Sequence, residues 1–200
     1  IQRAYSFVNP PSAPYHEFYF VEIPDGELTP TLGSLQAGDT LLVQSQATGF
    51  LTLDELPPGR DLWLLSTGTA IGPFLSMLAD GEAFDRFENL VLVHGVRKGE
   101  ELSYRALIDG FSERHGERFR YVPFVSREAW PDAMEGRIPA AIANGQLQER
   151  VGLGFSAESS QVLICGNPAM VKETQQTLLA LGLAKNLRRA PGNISAENYW

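Results

Sequence analysis

Hydrophobic and polar positions divide the chain into two regimes. Up to about Leu56, short stretches rich in aromatic and β-branched residues (5–8, 17–23 and 41–46) are parted by Pro10-Pro11, Pro24-Asp25-Gly26 and Gly38-Asp39. They predict part of an antiparallel sandwich or barrel. Three strands leave open edges and little core, so the pattern anticipates partner strands ahead of Ile1, where the chain opens without a Met. Leu56-Pro57-Pro58-Gly59 reads as a linker. From Arg60 onward apolar runs at 62–65, 90–94, 119–125 and 161–164 alternate with helical periodicity at 73–78, 104–114, 138–144 and 170–181. That alternation predicts a parallel sheet covered on both faces, with ligands at the carboxyl ends of its strands. The expected fold class is α/β plus β: a partial antiparallel barrel over residues 1–57, then a Rossmann-like parallel-sheet domain over 60–200.

Composition narrows the function. Two hundred residues, 44% hydrophobic and 20% charged, suffice for a sizeable core. The net charge of −8 disfavours a nucleic-acid binder, and no apolar run reaches the roughly 18 residues of a membrane helix. A single cysteine, Cys165, and no leader-like start point to a reducing cytoplasm. The three histidines, His16, His94 and His115, lack metal-ligand spacing, so no metal is expected.

Several motifs carry chemistry. Ser66-Thr67-Gly68-Thr69-Ala70-Ile71-Gly72-Pro73 joins a strand to a helix, with Gly68 and Gly72 allowing close approach of a pyrophosphate to free helix N–H groups. A plain strand-to-helix turn is the alternative. Arg3-Ala4-Tyr5-Ser6 offers a guanidinium for phosphate, a stacking ring and a hydroxyl, although a strand tyrosine is more often core. Thr29-Pro30 reads as N-cap and first helical residue of another anion-accepting helix start. Ser126, Arg127 and Arg137 gather near strand ends, where basic residues suit the 2′-phosphate of NADP over the ribose diol of NAD. Arg97 follows the His94-Gly95-Val96 strand end, and His94 itself reads as core. Cys165 closes the last apolar run of the sheet, before Gly166-Asn167-Pro168, and a buried cysteine is most often a small hydrophobe. The aromatic tail Tyr199-Trp200 is unusual for a chain end.

Taken jointly, Arg3-Ala4-Tyr5-Ser6, the Gly68–Pro73 loop, Cys165-Gly166-Asn167-Pro168-Ala169-Met170 and Tyr199-Trp200 resemble the bacterial ferredoxin/flavodoxin–NADP⁺ reductases, in family order over essentially all 200 residues. The resemblance implies that the barrel holds FAD and the parallel-sheet domain NADP(H). Arg3, Tyr5, Ser6, Glu27, Leu28, Thr29, Thr69, Tyr199 and Trp200 are then expected around FAD. Gly68, Gly72, Arg97, Ser126, Arg127, Arg137, Gly166 and Asn167 are expected around NADP. Tyr5, Ser6, Cys165 and Tyr199 would flank the reacting rings, with Cys165 beside the nicotinamide as packing rather than as a nucleophile. The implied activity is NADPH-dependent reduction of ferredoxin or flavodoxin by a monomeric, cytoplasmic flavoenzyme. Lys185, Arg188 and Arg189 form a candidate docking patch for such an acidic carrier. Alternatives are a flavin or quinone reductase with no protein acceptor, and a nucleotide-binding module without redox function.

Overall fold

The computed structural model describes residues 1–198. The first stretch is extended and sparsely paired. Phe7 and Phe18 form one antiparallel bridge, with Val8 N–H donating to the Glu17 carbonyl at 2.9 Å. The strands expected at 17–23 and 41–46 do not form: a strand is defined by its ladder, and beyond the Phe7–Phe18 bridge these segments make no strand pairing among the described residues. Leu42 and Phe50 are accordingly 92% and 82% exposed. A short helix, α1 (Thr29–Ser34), interrupts the stretch, and its N-cap is Leu28 rather than Thr29. The Thr29 hydroxyl is spent on Ile23 instead, accepting from its N–H at 2.9 Å, which closes the loop around Gly26.

Beyond residue 60 the expected layers form. The described residues build a parallel sheet of β1 (Asp61–Thr67), β2 (Asn89–Val96), β3 (Phe119–Val125), β4 (Met134–Glu135), β5 (Ser160–Gly166) and β6 (Ile194–Asn198), in the order β4-β3-β2-β1-β5-β6. Its strands read as continuous apolar runs because both faces are covered. Leu62 and Leu64 point to one side, packing with α2 (Gly72–Asp80), α3 (Glu82–Arg86) and α4 (Arg105–His115) through Phe74, Leu75, Phe84 and Phe111. Trp63 and Leu65 point to the other, meeting α5 (Ile138–Ala143), α6 (Gln146–Val151) and α7 (Pro168–Ala180) through Ile142, Leu147 and Val171. Pro123 sits within β3 opposite His94. The short β4, α3 and α6, and the tail strand β6, fall outside the sequence expectation. β6 reads Ile-Ser-Ala-Glu-Asn, a polar run with little strand propensity of its own, and it forms because β5 offers a free edge.

Arg86 and Asn186 hold the end of the extended stretch to this layered part by donating to the carbonyls of Leu53, Leu56 and Glu55, and two further hydrogen bonds fasten its beginning. Ser76 on α2 donates to the Asn9 carbonyl at 2.8 Å, and the Tyr104 hydroxyl donates to Glu17 Oε1 at 2.6 Å. The Asn9 side chain closes the loop between them, accepting from Glu17 N–H at 2.6 Å and donating to the Tyr15 carbonyl at 2.8 Å. Tyr104 caps α4 in the left-handed region at φ +59°, a backbone cost of about 1 kcal/mol for a non-glycine residue. Burial and the bond to Glu17 both raise its phenol above the usual range. Tyr104→Phe is therefore expected to lose about 1–2 kcal/mol of unfolding free energy in a urea melt. It should also speed protease cleavage between residues 9 and 20; an unchanged cleavage rate would show that this bond does not hold the stretch down.

Candidate functional site

The strand order reverses at β1. The chain steps outward from β1 to β4, then returns to the opposite side of β1 as β5, so the carboxyl ends of β1 and β5 form the switch-point crevice of an open parallel sheet. Ser66 and Cys165 are in register there, and the next residues nearly touch. Gly166 has φ +144°, and a Cβ on it would lie 2.1 Å from Thr67 Oγ1 and 3.0 Å from Thr67 N. The same Thr67 oxygen accepts from Asn167 N–H at 3.0 Å. Asn167 then caps α7, its Oδ1 accepting from Ala169 N–H at 2.9 Å and Met170 N–H at 3.4 Å. Gly166 thus admits Thr67 at close range, and the Asn167 side chain caps the helix.

On the β1 side Gly68 turns at φ +56°, with open space where a side chain would begin. Its carbonyl lies 3.0 Å from His94 Nε2. A carbonyl only accepts, so this nitrogen carries the ring proton and Nδ1 is a bare lone pair without a partner among the described residues. The ring is fully buried, which lowers its pKa to about 4. A tight turn over Gly68–Ile71 leads into α2, whose first N–H, that of Gly72, donates to the Thr69 carbonyl and whose second residue, Pro73, has none. At Gly72 a Cβ would meet Val8 Cγ2 at 3.3 Å, so the smallness of this residue admits the extended stretch. Thr69 is half-buried in the turn. Cys165 is fully buried, and its thiol is pushed up to about 12 by burial and then by Glu197, which excludes a thiolate nucleophile near neutral pH.

A cleft of about 1090 Å³ opens beside the switch point, lined by Arg3, Tyr5, Ser6 and Leu28 on one side and by Pro73, Ser76, Met77 and Glu197 on the other. Arg3 pairs with Glu27, and Tyr5 meets Phe18 and Phe20 edge-on at 6.3 and 6.4 Å. Glu197 stands opposite Cys165, and Asn198 opposite Gly166, so β6 itself ends at the switch point. Tyr199 and Trp200 lie outside the described residues.

Arg97, Ser126, Arg127 and Arg137 line up along the same carboxyl edge, following β2, β3 and β4. All four are exposed. The Ser126 hydroxyl, expected to meet phosphate, donates to the Val96 carbonyl at 3.2 Å, while the Arg127 and Arg137 guanidiniums make no ion pair among the described residues. Lys185 bridges Ile194, and Arg188 and Arg189 sit at the tip of a hairpin closed by Leu187 and Ala190. Thr67, Glu101, Glu128 and Trp130 were not singled out by the sequence. Glu101 had a readable signal in its i,i+4 spacing from Arg97; the others depend on contacts between separate loops or strands.

A family model described as an oxidoreductase NAD-binding domain matches residues 64–176. Proteins named flavodoxin/ferredoxin–NADP reductase from Shigella flexneri and from Escherichia coli K12 are each 49% identical over 201 residues, covering 100% of this chain and 81% of their own length. The crystal structure of a ferredoxin NADP⁺ reductase from Neisseria gonorrhoeae with bound FAD and NADP superposes with a TM-score of 0.94 at 41% identity, over 99% of this chain and 80% of that one.

Two variants probe this geometry. Gly166→Ala forces a methyl group against Thr67 in a backbone region disfavoured for alanine, and should cost about 2–3 kcal/mol in thermal or urea unfolding. Removing the nearest obstacle with Thr67→Ala in the same chain should return part of that loss; strictly additive effects would show that the strands do not meet here. For His94, the unfolded chain takes up a proton near 6.5 but the folded chain only at about 4, so stability present above pH 6.5 is lost as pH falls towards 4. The full difference is about 3 kcal/mol. His94→Gln keeps a donor for Gly68 and should flatten that acid limb of the stability curve.

Proposed function

The chain belongs to the flavodoxin/ferredoxin–NADP reductase family, and from that premise we propose how its residues carry NADPH-dependent electron transfer to ferredoxin or flavodoxin. The reading divides the chain at the linker, with residues 1–57 serving FAD and 60–200 serving NADP(H), and it includes a monomeric enzyme working in the cytoplasm. Among the described residues no helix is long and apolar enough to cross a membrane.

The observation that carries the assignment is the register of β6 with β5. It brings Glu197, a wall residue of the large cleft, opposite Cys165 at the sheet's switch point, so a flavin in the cleft and a nicotinamide at the strand ends would meet at one place. The residues present fit both groups. The cleft is large enough for a dinucleotide, and Gly68, at the head of the turn into α2, leaves open space where a side chain would begin. When bound, FAD takes two electrons as hydride from NADPH and releases them one at a time to the protein acceptor.

The protein's part is binding, orientation and exclusion. Arg3, with Glu27 holding one edge of its guanidinium, is suited to the flavin pyrophosphate, and Tyr5 offers its ring at the cleft wall. Ser6 and Leu28 complete that wall, and Thr29 steadies it by closing the Ile23 loop. Thr69 stands in the turn between the two sites. His94 fixes the Gly68 carbonyl and with it the turn that leads into α2. Cys165 remains a neutral, buried thiol beneath the place proposed for the nicotinamide. Arg97, Arg127 and Arg137 are suited to the 2′-phosphate. In our reading Tyr199 and Trp200 serve to cover the flavin. Lys185, Arg188 and Arg189 are the proposed contact for an acidic carrier.

The test follows bleaching of bound flavin by reduced nucleotide. NADPH should bleach it in preference to NADH, and Arg127→Ala should lose about ten- to a hundredfold in kcat/KM for NADPH, the worth of one charge-assisted phosphate contact, with little change for NADH. Equal losses for both nucleotides would move Arg127 from phosphate recognition to support of the fold.

A further inference from the structure

We infer that the loop after β3 clasps the loop after β2, and that Glu128 and Trp130, through this clasp, are positioning residues that set recognition of the 2′-phosphate. The inference rests on the assignment of Arg97 and Arg127 to that phosphate. Two arginines at the ends of neighbouring parallel strands repel each other and ride on flexible stems, so holding their spacing requires that the backbones beneath them be fixed.

Four sets of contacts do this. Ser126 N–H donates to the Val96 carbonyl at 3.1 Å and Arg127 N–H to the Arg97 carbonyl at 3.0 Å, which carries the β2–β3 pairing past the ends of both strands. Glu101 Oε2 closes the β2 loop on itself by accepting from the N–H groups of Arg97 and Lys98 at 2.7 and 2.9 Å. Glu128 reaches across from the β3 loop, its Oε1 accepting from Gly99 N–H at 2.8 Å. The Trp130 ring presses on the same Gly99 so closely that a Cβ there would lie 1.8 Å from its Cδ2 atom. Gly99 is thus required by a side chain of the neighbouring loop, not by its own backbone angles.

The clasp also decides where charge is available. Glu101 and Glu128 are the carboxylates nearest to hand in these loops, and both spend their short hydrogen bonds on backbone amides. Arg97 Nε stays 4.0 Å from Glu101 with its side chain 67% exposed, and Arg127 has no ion pair among the described residues. An incoming phosphate therefore meets two cations whose backbones are already held at a fixed spacing. Trp130 remains 40% exposed, so trimming it removes the splice without opening the core.

The test uses the full chain and two soluble probes, adenosine 2′,5′-bisphosphate and 5′-AMP, titrated by calorimetry. Trp130→Ala and Glu128→Ala should each weaken the bisphosphate about tenfold relative to 5′-AMP, in line with the cost of small misplacements. The NADPH-over-NADH ratio of kcat/KM should fall in parallel, through KM rather than kcat. Glu128→Gln, whose amide oxygen can still accept from Gly99 N–H, should restore the discrimination. Equal weakening of both probes, or an unchanged ratio with a lowered melting temperature, would reduce the clasp to general loop packing and overturn the inference. Arg127→Ala is measured alongside. If it too fails to separate the probes, the arginine assignment is what falls; if it separates them while the Glu128 and Trp130 variants do not, the clasp alone is wrong.

Discussion

Everything at this site depends on how closely β1 and β5 can run together at their carboxyl ends. Adjacent parallel strands have a fixed spacing set by their hydrogen bonds, and a turn that leaves both in the same direction crowds the first residues past the sheet. Gly166 absorbs that crowding, and the Thr67 hydroxyl converts it into a hydrogen bond with Asn167 N–H. The start of α7 and the turn at Gly68 both follow from this junction. At the amino ends of the same strands a different device operates. Burial pushes the Asp61 carboxyl up, but hydrogen bonds from Arg60, Asn89 and Ser159 outweigh it and hold the group below its usual range, tying β1, β2 and the approach to β5. One end of the sheet is fixed by a buried charge with full partners, the other by the absence of a side chain.

The electrostatics divide along the same line. Near the switch point the buried titratable groups, His94 and Cys165, are both held neutral by burial, so the floor of the site carries no charge of its own. The cations stand at the rim on exposed stems. A chain with net charge −8 can therefore still present a basic edge to a phosphate, because much of its acidic side-chain chemistry there is turned onto backbone amides. Net charge describes solubility and long-range repulsion; which face a ligand meets is decided by individual hydrogen bonds.

Most of the parallel sheet was legible in the sequence because continuous apolar runs and helical periodicity are local signals, and the β3 bounds agree residue for residue. The turns after β1 and β5 were legible because glycines mark them, at Gly68 and Gly166. Which partners the fold gives nearby side chains was not: Asn167 Oδ1 caps its helix, the Ser126 hydroxyl bonds Val96, and Thr29, read as an N-cap, bonds Ile23 instead. Nor did the sequence name Val8 as the group that approaches Gly72. Sequence alone cannot reveal which of two partners a donor will choose when one is brought from far along the chain. The tail strand and the contacts of Tyr104 and Trp130 were missed for the same reason.

Pro123 brings a consequence for how the sheet ends. β4 covers only Phe124 and Val125, so most of the outer margin of β3 has no neighbour among the described residues. A proline is tolerated inside a strand where its missing N–H faces such a margin. At that margin the ladder lacks a donor, and another chain laid alongside would find the hydrogen-bond row interrupted midway. The residue that lines up with the buried His94 on one side thereby guards against edge-to-edge self-association on the other.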